Sequence, residues 1–159
     1  MISYQEDNNR FNYRMAGICI HNGKVLLHKL ESDKYWTLPG GRSELQEDTR
    51  TTVAREFKEE TGYAVEVGRP IFFVENFFEH KGHDWHEVSV YYDVQFPQDS
   101  PCLNQEVFYG TEGNLTIVFQ WFNLSETPDL PIFPAFLKER LHNIPDSLER
   151  VVQKDAILA

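Results

Sequence analysis

Residues 49–61 constrain this chain more than any other stretch. They form its one long segment with helical spacing, with Asp48 placed to cap the start and Gly62 to end it. The other long apolar runs are β-branched or aromatic and bounded by turn residues, which is the signature of strands. One long helix set among strands predicts an α/β architecture, a mixed sheet with helices packed on it.

The strand signals are local and specific. Residues 15–20 are apolar and short, as a buried strand requires. Asn22-Gly23 follows, the strongest short hairpin signal, and residues 25–28 return as the partner strand. Residues 35–38 predict a further strand, stopped by Pro39-Gly40-Gly41. Residues 71–78 and 85–96 flank Lys81-Gly82-His83-Asp84 and predict a second hairpin. Residues 115–122 read as a late strand, and residues 134–141 as a short helix with Pro near its start. Residues 1–10 are polar and read as a loose arm. A length of 159 residues suits one domain spanning the chain.

The predicted helix carries an unusual face. At about 100° per residue, Glu59 and Glu60 fall within roughly 60° of Glu56, while Val53, Ala54 and Phe57 lie alongside. One side can enter the core while the carboxylates point into an adjoining cleft. Like charges at these spacings cost a few tenths of a kcal/mol per pair. Such a cluster is either a solvated acidic face or a set of oxygen ligands for a cation such as Mg²⁺.

Charge narrows the partners. Fifteen Lys and Arg stand against 25 Asp and Glu, a formal net charge of −10. A nonspecific nucleic-acid or anionic-membrane binder carries a basic footprint that this chain lacks as a whole. If the ligand is a phosphate ester, a divalent cation is the obvious way to offset repulsion. Cys19 sits in an apolar run and reads as a buried thiol. Cys102 lies in a polar stretch with no second cysteine near it. The first ten residues contain no apolar signal-peptide region, and no apolar run is long enough to span a bilayer. The expected setting is soluble and cytoplasmic.

The segment from Gly41 to Tyr63 resembles the Nudix box. The pattern is a glycine, a glutamate six residues on, Arg-Glu eight after that, then Glu-Glu and a glycine. Gly41, Glu47, Arg55, Glu56, Glu59, Glu60 and Gly62 meet the fixed positions. Phe57 and Tyr63 fill the two bulky sites, where the family usually has aliphatic residues. The resemblance implies an α/β/α sandwich and divalent-metal-dependent hydrolysis of a nucleoside diphosphate linked to another group.

The resemblance also assigns roles. Glu56, Glu59 and Glu60 are the implied metal ligands, with the Gly40 carbonyl beside them, and Mg²⁺ is the expected cofactor with Mn²⁺ as its alternative. Glu56 is also a general-base candidate. Arg55 and Glu47 support catalysis, Arg55 by orienting a ligand carboxylate. A carboxylate outside the box often completes such a site; Glu112, expected on a loop entering a strand, is the first candidate, with Glu106 and Glu87 as alternatives. Arg14 and Arg42 are candidates for phosphate contacts. Trp36, Phe77 and Trp85 are candidates for stacking on a base, although strand aromatics are usually core. His80, His83 and His86 surround a turn with no cysteine near, and read as turn residues rather than a zinc site.

Substrate markers known in the family are missing. No proline stands near Phe78, where ADP-ribose pyrophosphatases commonly have one, and His80 stands near the tyrosine position of diadenosine polyphosphate hydrolases. A nucleoside triphosphate, including oxidised forms, is then the leading expectation, and a nucleotide sugar or dinucleotide the second. A catalytically silent nucleotide-binding domain is the reading of another class. The expected partner is a small-molecule nucleotide, with a homodimer as the form any self-association takes; no membrane or nucleic acid is expected.

Overall fold

The computed structural model describes residues 1–158, with side chains through Asp155. Ten strands and two short-to-medium helices follow in order: β1 (Ser3–Glu6), β2 (Asn9–Ile18), β3 (Ile20–His21), β4 (Lys24–Leu30), β5 (Gly40–Arg42), α1 (Thr49–Thr61), β6 (Glu66–His80), β7 (His83–Gln95), β8 (Val107–Glu112), β9 (Leu115–Asn123), α2 (Leu137–Arg140) and β10 (Glu149–Leu158). One sheet has the order β1-β2-β7-β6-β10, with β5 also paired to β2. It is mixed: β2 runs parallel to β7 and β10 parallel to β6, while β6 and β7 are antiparallel. The second sheet is antiparallel, in the order β3-β4-β9-β8.

Both faces of β2 are buried, which explains its unbroken apolar run. Met15 packs with Val53 and Phe57 of α1, and with Val94 and Phe119. Ala16 and Ile18 face the other way, toward Phe72, Val74 and Leu137 of α2. The sheets therefore lie between α1 on one side and α2 on the other, the α/β/α arrangement the sequence implies. Asn22-Gly23 makes the first tight turn, both with positive φ, and Lys81-Gly82 makes the second.

Three expectations need correction. Residues 1–10 are not a loose arm: β1 pairs with β2 from Ser3↔Asn12 to Glu6↔Asn9. All of β1 is exposed, so backbone pairing holds it and no apolar pattern marks it. Residues 35–38 do not form a strand; Trp36 and Thr37 make isolated bridges to Ile132 and His28, and the strand here is β5. The late helix is shorter than residues 134–141, because regular α turns cover only Leu137–Arg140. Strands β8 and β10 were not anticipated. Cys19 and Cys102 are both free and buried.

Candidate active site

Helix α1 begins where Asp48 accepts a hydrogen bond from the Thr51 amide at 2.8 Å. It ends at Gly62, whose φ of 83° lets its N–H reach Lys58 O. Phe57 is wholly buried at the first bulky position. The burial of Phe57 and Val53 sets the rotation of the helix, and that rotation divides the three glutamates. Glu56 and Glu60 turn into a cleft, their side chains 15% and 6% exposed, while Glu59 is 59% exposed and does not line it.

Arg55 fixes this arrangement. Its guanidinium grips Glu47 through two bonds, Nε to Oε2 at 2.7 Å and Nη2 to Oε1 at 3.0 Å. Glu47 also accepts from Thr52 Oγ1 and the Glu44 amide, so the clamp is anchored at both ends. Hydrogen bonding from Arg55, chiefly, holds the Glu47 carboxyl down to about 2. Arg55 Nη1 then donates to Glu56 Oε1 at 2.8 Å and to Glu59 Oε2 at 3.2 Å. Arg55 and Glu47 thus position Glu56. Gly41 closes over the same carboxylate: a Cβ there would lie 2.2 Å from Glu56 Cδ. Gly110 of β8 packs as closely on the helix end, where a Cβ would lie 2.0 Å from the Glu60 carbonyl oxygen.

The cleft has a volume of about 420 Å³. Glu56, Glu60, Glu112, Gly40 and Gly41 line its acidic end. Burial, and then the adjacent Glu56, pushes the Glu60 carboxyl up to about 9. Burial also raises Glu56, against the pull of Arg55. His28 lies at the back with its Nδ1 3.6 Å from Glu60 Oε2. Burial, helped by Arg14, drops this imidazole to about 3, so it is neutral near pH 7. Arg14 Nη2 sits 3.4 Å from His28 Nε2 and donates to Leu38 O at 2.9 Å.

The other anticipated residues separate clearly. Arg14 and Arg42 line the cleft, side by side across the β2–β5 pairing. Trp36 does not line it; its ring packs edge-on against Phe122 at 4.9 Å. Tyr35, Phe78, Trp85 and Phe133 supply the aromatic walls instead. Glu112 is the last residue of β8 rather than part of a loop, and it lines the cleft; Glu106 does not. Glu87 lies deep in the cleft between Asn12 and Asn76. His80 lines the rim, edge-on to Tyr35, while His83 contacts Asn8 and Arg10. His86 stacks on Phe77. Sequence reasoning missed His28, Asn12, Asn76 and Tyr35. For His28 a signal existed, a polar residue closing the otherwise apolar run 25–28.

The acidic end suits an oxygen-preferring cation. Glu60 Oε2 is buried without a hydrogen-bond partner, next to a second carboxylate. Among the described residues, no group of three His, Cys, Asp or Glu side chains forms a metal cage. Two carboxylates completed by phosphate and water oxygens are the usual form of a Mg²⁺ site. No helix of the described residues is long and apolar enough to cross a membrane.

Comparison with known proteins supports the family. The NUDIX domain pattern matches residues 12–142. The chain is 33% identical over 112 residues to the uncharacterized Nudix hydrolase YvcI of Bacillus subtilis, covering 70% of this chain and 66% of that protein. A MutT-like protein of Streptomyces ambofaciens is 44% identical over 54 residues, 33% of this chain and 35% of that protein. The chain thus spans less than two thirds of these relatives. Among solved structures, an ADP-ribose pyrophosphatase from Streptococcus suis aligns with a TM-score of 0.59 at 16% identity, covering 88% of this chain and 98% of that one. A MutT protein from Bacillus halodurans aligns equally well, at 20% identity over 91% and 90% of the two chains. These structural likenesses show the fold, and the match over residues 12–142 shows that the chain belongs to the NUDIX domain family.

Proposed function

We propose that this protein hydrolyses the pyrophosphate linkage of a nucleoside diphosphate derivative with the help of a divalent cation. The observation that carries this reading is Glu60 Oε2, buried and unpartnered beside Glu56 at the acidic end of the cleft. A buried carboxylate oxygen left unpartnered beside a second carboxylate is a donor set that suits an oxygen-preferring divalent cation. Glu56, Glu60 and the Gly40 carbonyl would hold Mg²⁺, or Mn²⁺ in its place, with Glu112 reaching it from β8. Bound there, the cation neutralises phosphate charge and lowers the pKa of water.

The chain's own residues do the rest. Arg55, locked by Glu47, holds the Glu56 carboxylate against the cleft wall. Glu56 Oε2 is left to ligate or to take a proton from the attacking water. Arg14 and Arg42 face the phosphates from β2 and β5. Glu59, bonded by Arg55 at the helix surface, acts from outside the first ring of oxygens. A nucleoside triphosphate, oxidised forms included, is the first substrate to test; nucleotide sugars and dinucleotides come second. Product analysis on that panel with Mg²⁺, with and without excess EDTA, tests the reading. Metal-dependent cleavage supports it, and binding without cleavage makes the chain a silent nucleotide-binding domain.

A further inference from the structure

Three neighbouring strands place a row of polar side chains on the floor of the cleft. Asn12 of β2 pairs with Glu87 of β7, and Glu87 pairs with Asn76 of β6. Residues directly opposite on adjacent strands project from the same face. All three are buried, at 7%, 8% and 3% exposure, and all three line the cleft. Buried polar rows in a sheet normally satisfy one another. This one does not. Asn12 Nδ2 donates to Glu87 Oε2 at 3.4 Å, yet Asn12 Oδ1 and Asn76 Oδ1 have no partner.

The flanking residues supply an aromatic wall. Two positions along the same face, Phe78 of β6 pairs with Trp85 of β7, their rings only 4° from parallel. Trp85 Nε1 is buried and also unpartnered. Arg14, two residues beyond Asn12 on the same face, carries the charge between the row and the acidic end. It acts on the carboxyls of both Glu87 and Glu60. The charges that bear on Glu87 are Arg14 and Arg42, not the glutamates of α1, so Glu87 belongs to the floor rather than to the acidic end.

We propose that the Asn12–Glu87–Asn76 row reads the Watson–Crick edge of guanine, making this a guanine-nucleotide site. The proposal rests on the pyrophosphate reading of the acidic end. The unpartnered atoms of the row are the acceptor oxygens Asn12 Oδ1 and Asn76 Oδ1, which flank the Glu87 carboxylate, so adjacent N–H donors on a ligand would satisfy it best. Guanine carries N1–H and N2–H side by side. Adenine and cytosine carry one amino group beside a bare ring nitrogen, and uracil one N–H between two carbonyls. Those carbonyls would meet the row oxygen to oxygen. Trp85 Nε1–H is the donor left for the guanine carbonyl. A site built to hydrogen-bond a substrate rejects an analogue lacking the group far better than an apolar pocket does.

Initial rates with Mg²⁺ on GTP, ITP, ATP, UTP and CTP test it, together with calorimetric binding of the β,γ-imido analogues of GTP, ITP and ATP. ITP lacks only the 2-amino group. The expected result is kcat/KM at least about tenfold higher for GTP than for ITP, and a larger gap to ATP and UTP. Glu87→Gln, which replaces an acceptor by a donor at constant shape, brings the GTP-to-ITP ratio near one. Asn76→Ala reads the same ratio should Glu87→Gln fail to fold. Cleavage without guanine preference, or an unchanged ratio in the folded variants, overturns the guanine assignment and leaves the pyrophosphatase reading intact. Guanine-selective binding without cleavage does the reverse. Neither binding nor cleavage of any nucleotide overturns both.

Discussion

At one end of the cleft, Glu56 and Glu60 come from a single turn of α1. At the other, Asn12, Asn76 and Glu87 come from three strands, with Asn12 and Glu87 75 residues apart in sequence. Both ends bury oxygen atoms that lack a partner inside the protein. They differ in what made them. The acidic end needs helix geometry, one clamp and the burial that sets the rotation of α1, because residues four apart share a face. The floor exists only once the register of β2, β7 and β6 is set. A one-residue slip of any of those strands would turn its side chain to the opposite face.

The largest expected effects lie at the acidic end. Glu56→Gln and Glu60→Gln each lower kcat by roughly a thousandfold or more, on the scale of losing a positioned acid or base, with the fold retained by circular dichroism. Glu60→Gln also separates chemistry from stability. A carboxyl with a folded pKa near 9 and an ordinary value of 4.5 weakens the apo fold as pH rises between those values. The variant removes that loss, so at pH 7 to 8 its apo Tm equals or exceeds wild type. Mg²⁺ raises the wild-type Tm by binding the folded state and leaves the variant nearly unmoved. A variant that keeps both turnover and the Mg²⁺ shift would show that the carboxylates are a solvated face.

Gly41→Ala sharpens the contrast, because it touches the acidic end and not the floor. Its Cβ would collide with the Glu56 carboxylate, which is a side-chain end and can swing away. The fold survives, and kcat falls by about a hundredfold, the order seen when a catalytic group is displaced by about an ångström. Glu112→Gln should have a smaller effect, about tenfold in kcat, with a smaller Mg²⁺-induced rise in Tm than wild type. Glu106→Gln, outside the cleft, is the control; a crippled Glu106 variant beside an active Glu112 variant would move the assignment.

Legibility followed the same divide. The caps of α1 and the two tight turns were readable, because each is decided within a few residues, whereas the locking of Arg55 by Glu47 was not anticipated. The exposed β1 was unreadable, since an edge strand held by backbone bonds needs no apolar pattern. Trp36 was misplaced as a base-stacking candidate because composition does not say which face an aromatic takes; packing against Phe122 does. Glu59 was grouped with its neighbours on the helical wheel, yet the burial of Phe57 rotates α1 so that only Glu56 and Glu60 enter the cleft.

The smallest expected effect concerns the clamp. Glu47 is held near 2 against an ordinary 4.5, so its pairing with Arg55 stabilises the fold above pH 4.5 and is lost as pH falls toward 2. Acid unfolding of Glu47→Gln should therefore follow wild type less steeply in that window. Identical acid transitions would mean that the clamp orients Glu56 without stabilising the fold.

If the paired, buried carboxylates of α1 form a cation site for pyrophosphate cleavage, losing either the cation or a carboxylate stops the reaction. Product analysis of wild type and Glu60→Gln on nucleoside triphosphates, nucleotide sugars and dinucleotides, with Mg²⁺ and with EDTA, tests it most directly. Wild type in Mg²⁺ should cleave at a phosphoric anhydride, while EDTA-treated enzyme and the variant should show no cleavage above background. Turnover that persists in EDTA, or in Glu60→Gln at limiting Mg²⁺, would contradict the cation site.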